Sequence, residues 1–111
     1  MGEFVKGQVV VVPFPFSDLS DAKRRPALIV ATPGGDDIIL SQITSQKRND
    51  MYAIGLTAED FQEGGLPVMS YIRPDRLFSA DESLVLYQTG TIMQEKMKEV
   101  ETVIVHLFTQ V

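Results

Sequence analysis

Two apolar runs, Ala27 to Ala31 and Asp37 to Thr44, stand on either side of Pro33-Gly34-Gly35-Asp36. A Gly-Gly pair suits a tight turn with positive φ at both central positions, so the chain is predicted to double back as a hairpin centred at Gly34-Gly35. Antiparallel pairing about that centre sets Ala31 opposite Ile38, Ile29 opposite Leu40, Ala27 opposite Gln42 and Arg25 opposite Thr44, all on one face by the two-residue alternation of strands. The hairpin is then apolar near its turn and polar at its open end, where Gln42, Thr44 and Gln46 gather beside Arg25. A polar strip on strands of otherwise buried type needs a reason.

Pro26 supplies one. Its ring excludes the helical region for the preceding residue, so Arg25 is held extended with its guanidinium aimed by the backbone, as phosphate recognition requires. The net charge of −5 argues against a nucleic-acid partner until its distribution is considered. Up to Leu56 six basic residues balance six acidic ones, so the whole negative excess lies beyond that point. Lys23, Arg24 and Arg25 at one open strand end, with Lys47 and Arg48 at the other, gather five positive charges beside Thr44. Solvated loop charge is the competing explanation for Lys23, Arg24, Lys47 and Arg48. Gln46, whose amide both donates and accepts, suits the reading of a base edge or the bridging of strands.

The 111 residues contain no obvious linker and are expected to form a single domain, 1–111. Cysteine is absent and histidine occurs once, which leaves no disulfide framework, no thiolate site and no ordinary zinc site, and no cofactor is expected. The start of the chain lacks the plan of a signal peptide and no apolar stretch approaches a membrane span, so a cytoplasmic location is expected.

Val9 to Val12 reads as a strand buried on both faces, ended by Pro13 and Pro15, with Phe14 and Phe16 plugging the core. Further strands are expected near Tyr52 to Leu56, at Met69 to Arg73 resuming through Arg76 to Phe78, and at Leu84 to Ile92 with Gly90 as a bulge. Thr57 to Phe61 reads as a single helical turn. Met97, Val100, Val103, Ile104, Leu107, Phe108 and Val111 recur at three and four, the mark of a terminal amphipathic helix, for which Met93 is a weak cap. His106 falls on the polar face near the helix end and complements the dipole. Arg73 and Arg76 flank Pro74-Asp75 and read as an Asp75 pairing or a turn.

Lys6-Gly7-Gln8-Val9-Val10, Pro13 to Ser17, Arg24 to Ile29, Ile43-Thr44-Ser45-Gln46, Gly64-Gly65-Leu66 and Ser70 to Pro74 occur in the order and spacing of one family. Together they resemble the MazF/PemK toxin endoribonucleases of type II toxin-antitoxin systems. The resemblance implies a mainly β, SH3-like small barrel with a C-terminal α-helix. It also implies a homodimer that cleaves single-stranded RNA without a metal, and an antitoxin whose acidic tail occupies the RNA groove. It carries the catalytic roles onto Arg25 and Thr44; Ser20, Lys23, Arg24, Gln46, Lys47 and Arg48 are the substrate-binding candidates beside them. The loop Ser17 to Lys23 departs from the Gly-rich form common in the family, so the cleavage sequence stays open. Arg25 reads as an electrostatic clamp, and Asp21 or a water is the available guess for a base. A second reading is a non-catalytic, CcdB-like protein-binding toxin. A third is a degenerate member acting only in an autoregulatory complex, whose DNA contacts the antitoxin would supply, since no helix here looks like a DNA reader.

Overall fold

The computed structural model describes residues 3–14, 23–47 and 49–110. Seven strands form one antiparallel sheet: β1 (Gln8–Phe14), β2 (Lys23–Gly34), β3 (Asp37–Thr44), β4 (Ile54–Leu56), β5 (Phe61–Gly64), β6 (Ser70–Asp81) and β7 (Tyr87–Ile92). Among the described residues one α-helix, α1 (Gln94–Thr109), follows the last strand. The spatial order β4-β6-β3-β2-β1-β7-β5 puts β4 and β5 at the two edges. These edges are consecutive in sequence, linked by a 3₁₀ turn at Ala58–Asp60, in which Asp60 Oδ2 accepts from the Thr57 amide at 2.8 Å. The sheet therefore curls into a half-barrel whose rims are joined by the chain itself, and the expected single turn at Thr57 to Phe61 is the joint.

Burial explains why Val9 to Val12 shows no alternation. Val9 joins Leu28, Ile43, Ile72 and the helix residues Met97 and Val100 in one core, while Val10 and Val12 join Ala27, Ile29, Ile38 and Leu40 in another on the opposite face. A strand covered on both sides reads as a continuous apolar run. Each of the Val, Leu and Ile side chains among them contributes about 1.5–3 kcal/mol relative to exposure. Phe14 is half-buried, its ring 5.4 Å from that of Phe78; Phe16 lies outside the described residues.

The hairpin differs from expectation at its tip and agrees with it lower down. Ile29↔Leu40 and Ala27↔Gln42 pair as predicted, but Ala31 pairs with Ile39 rather than Ile38, and Gly34 with Asp37. Two register shifts give β2 two extra residues, so the turn is centred on Gly35-Asp36, one residue later than the Gly-Gly pair suggests. Both glycines do take positive φ, 136° at Gly34 and 62° at Gly35.

β5 was not expected from sequence, because Phe61-Gln62-Glu63-Gly64 has only one apolar residue. β6 runs unbroken from Ser70 to Asp81, and the expected interruption is a bulge: Ser41 pairs with Leu77 and Gln42 with Arg73, leaving Pro74 to Arg76 outside the β3 ladder. In β7 the register shifts beside Gly90, between its pairing with Val9 and that of Gln88 with Val10. Met93 caps α1 without a side-chain bond. Phe108, on the same helical face as Met97 and Ile104, is 74% exposed because the last turn outruns the core; Val111 lies outside the described residues.

Candidate nucleic-acid interface

Pairing between β1 and β2 continues to Phe14↔Lys23, whereas pairing between β2 and β3 ends at Ala27↔Gln42. Pro26 lies just beyond that last pair and has no N–H to donate, which accounts for the ladder stopping there. The ends of β2 and β3 that do not pair with each other border a cleft of about 400 Å³. Arg24, Arg25, Thr44, Ser45 and Gln46 give it a polar side, and Val11, Leu66, Pro67, Val68 and Tyr87 an apolar one.

Extending the Ala27↔Gln42 register by two residues sets Arg25 opposite Thr44, outside the ladder. The two arginines differ in facing. Arg25 pairs with Val12 and shares its face, while Arg24 shares the face of Pro26 and its partner Val11. Both border the cleft at the sheet's end, and both are exposed. Among the described residues the ion pairs are Lys6–Glu101, Arg73–Asp50, Lys96–Asp60 and Lys96–Glu99, so Lys23, Arg24, Arg25 and Lys47 have no carboxylate partner there. An exposed guanidinium without a partner is available to an anion.

Thr44 Oγ1 accepts from the Gln46 amide N–H at 3.2 Å. That bond uses a lone pair and leaves the hydroxyl hydrogen to be donated into the cleft. It also bends the chain after β3 so that Ser45 and Gln46 turn along the rim. Lys23 and Lys47 are exposed and stand outside the cleft lining. Ser20, Asp21 and Arg48 lie outside the described residues.

The segment carrying Gln46 and Lys47 is anchored by a pair that sequence reasoning assigned differently. Arg73 does not pair with Asp75; its Nε donates to Asp50 Oδ2 at 2.9 Å, with the two side chains only 15% and 8% exposed. Asp50 Oδ1 also accepts from the Tyr52 amide at 3.2 Å. Burial pushes the Asp50 carboxyl up, but these hydrogen bonds and the charges of Arg73 and Arg76 outweigh it and hold the group below its ordinary value. β6 thereby fixes the loop after β3. Sequence separation of 23 residues hid this pairing.

Among the described residues no group of three or more His, Cys, Asp or Glu is placed to hold a metal ion, and no helix is long and apolar enough to cross a membrane. His106 is exposed in the last turn of α1. Tyr87, on the apolar side of the cleft, lies in a strand expected from sequence, but nothing in that strand's own pattern points to the cleft. Leu66 was noticed only within the Gly-Gly-Leu pattern.

The family model for PemK-like, MazF-like toxins of type II toxin-antitoxin systems matches residues 5–108. The chain belongs to that family. The fold of this MazF-like toxin is shared with an endoribonuclease in complex with its cognate antitoxin from a mycobacterial species, at TM-score 0.76 and 15% identity over 97% of each chain. It is shared too with the MazE-MazF complex (Form-II) from Deinococcus radiodurans, at TM-score 0.73 and 18% identity over 96% of each chain. MazF (Form-I) from the same organism gives TM-score 0.72 and 21% identity over 93% of this toxin and 94% of that chain. No curated protein matches the toxin in sequence.

Proposed function

We propose that this toxin is a metal-independent endoribonuclease that cleaves single-stranded RNA in the cytoplasm by attack of a ribose 2′-hydroxyl on the adjacent phosphate. The observation that carries the reading is the meeting, at one cleft of a PemK-like, MazF-like chain, of the Thr44 hydroxyl and two arginines that have no carboxylate partner among the described residues. Negative charge grows on the phosphoryl oxygens as the 2′-oxygen adds. Arg25, always protonated, stabilises that charge, and Thr44 donates a hydrogen bond to the same group. Arg24, Gln46 and the flanking Lys23 and Lys47, with Ser20 and Arg48, hold the neighbouring backbone and bases. A toxin that only traps a protein does not need this arrangement.

Residues 1–111 act as one toxin domain, and two copies form a homodimer. The exposed Phe108 and Val105 of α1 leave apolar surface for a partner, which light scattering of the purified protein tests. The antitoxin is expected to present an acidic tail to the same cationic cleft, and to bring any DNA contact with it. The deciding experiment incubates the purified toxin with a long single-stranded RNA in chelator and maps the ends. Cleavage that persists in chelator and disappears in Arg25→Ala supports the reading; an intact RNA overturns it.

A further inference from the structure

Among the described residues, Tyr87 is the only aromatic side chain lining the cleft, and it is 50% exposed. Its place is fixed across the sheet, because Tyr87 pairs with Val11 and Val11 with Pro26. Directly paired residues share a face, and two interstrand spacings put Tyr87 roughly 10 Å from Pro26. Leu66, Pro67 and Val68 complete the apolar side, with Val68 56% exposed.

An exposed ring beside two exposed arginines suits single-stranded nucleic acid, which offers a charged backbone and an apolar base face at neighbouring positions. The nearby hydroxyls are already engaged. Ser70 Oγ donates to the Val68 carbonyl at 3.0 Å and Thr89 Oγ1 to the Val9 carbonyl at 3.4 Å, so this side of the cleft has few groups left to read a base edge. Resting on the ribonuclease reading, we infer that Tyr87 is a stacking platform for a base adjoining the phosphate held by Arg24 and Arg25. It contributes affinity and is indifferent to which base it receives, because every base has a π-face.

The chain contains no tryptophan, so Tyr87→Trp places a single indole at this position, which can be excited apart from the remaining tyrosines. A single-stranded 2′-O-methyl oligoribonucleotide, which lacks the free 2′-hydroxyl, should quench it, while an abasic ribose-phosphate strand of equal length should not. Tyr87→Ala should raise Kd for the oligonucleotide and KM for cleavage roughly five- to a hundredfold. It should leave kcat and the mapped cleavage sites unchanged, and Tyr87→Phe should behave as the parent. Equal quenching by the abasic strand, an unchanged Kd in Tyr87→Ala, or altered cleavage sites would overturn the inference. Should Tyr87→Ala fail to fold by circular dichroism, the fluorescence comparison in Tyr87→Trp decides alone. Binding that depends on residue 87 without any cleavage would remove the ribonuclease reading and keep the stacking. Cleavage with affinity independent of residue 87 would do the reverse.

Discussion

Gly64 and Gly90 meet across β5 and β7 so closely that neither position has room for a side chain. A Cβ at Gly64 would lie 2.1 Å from the Thr89 carbonyl oxygen and 2.6 Å from Gly90 Cα, and one at Gly90 would lie 2.6 Å from the Glu63 carbonyl oxygen. Gly64 also has φ of 70°, which disfavours any residue with a Cβ. The next amide, that of Gly65, donates to the Thr89 carbonyl at 3.1 Å. This contact between two backbones sets where Leu66 to Val68 emerge, and so shapes the apolar side of the cleft.

Gly90→Ala should therefore destabilise the toxin by about 1–3 kcal/mol, the usual cost of forcing atoms into a filled space. Gly65→Ala, where a Cβ meets nothing within 4 Å, is the matched control and should fall within about 0.5 kcal/mol of the parent. Urea unfolding of the three proteins measures both. Equal midpoints for Gly90→Ala and the parent would mean that the strands can part at no cost.

Arg25→Lys and Arg25→Ala separate charge from geometry. If Arg25 stabilises the developing phosphorane through its planar fork, lysine keeps the charge and loses the second hydrogen bond, so both variants should lose cleavage heavily. Loss of one such transition-state donor costs on the order of a hundredfold to a thousandfold in rate. Thermal unfolding should barely move, because Arg25 is exposed and has no partner among the described residues. Full activity in Arg25→Lys would reduce the side chain to a point charge.

The Asp50–Arg73 pair predicts a stability that depends on pH. Asp50 is held below its ordinary 3.8, so the unfolded chain takes up its proton first as pH falls. Its contribution is complete above the unfolded value and is lost as pH drops from about 5 through the lowered folded value. The stability gap between the parent and Asp50→Asn, followed by urea unfolding, should therefore narrow below pH 5 and go on narrowing as pH falls through the lowered folded value. Arg73→Ala should cost roughly 3 kcal/mol at neutral pH, since it strands a buried carboxylate. A gap between the parent and Asp50→Asn that is constant from pH 7 to 3 would exclude the pair as a titrating contact.

What could be read from the chain, and what could not, follows the range of the interactions. Val9 to Val12, Asp37 to Thr44 and the α1 periodicity report local burial, which the sequence expresses directly. The register at Ala27↔Gln42 was legible because turn chemistry and alternation both constrain it, even though two bulges moved the tip to Gly35-Asp36. β5 was not legible, since its strand character comes from pairing with β7 rather than from its own side chains. At the site, Arg25 and Thr44 stood out through Pro26 and the hairpin. Arg73 and Tyr87 fall in expected strands and Asp50 in a loop, but the contacts that give them their places join segments far apart in sequence, and no local pattern marks those contacts.

The last prediction concerns the contrast between a net charge of −5 and the local cations Lys23, Arg24, Arg25 and Lys47. Overall repulsion slows the approach of RNA, but screening confines it to about 8 Å at physiological salt, so the bound strand feels mainly the charges around the cleft. If each of those four neutralises one phosphate, the logarithm of affinity for an uncleavable single strand falls against log salt with a slope near −0.7 per contact. The parent slope should then approach about −3 per protomer, less any contacts that remain bridged by water. Arg24→Ala and Lys47→Ala should each make it shallower by roughly 0.7, leaving thermal unfolding unchanged because both side chains are exposed. Fluorescence anisotropy of a labelled 2′-O-methyl oligonucleotide between low and physiological salt gives the slopes. A slope unaffected by Lys47→Ala, with one reduced by Arg24→Ala, would confine the phosphate contacts to the cleft lining and leave Lys47 as a solvated charge.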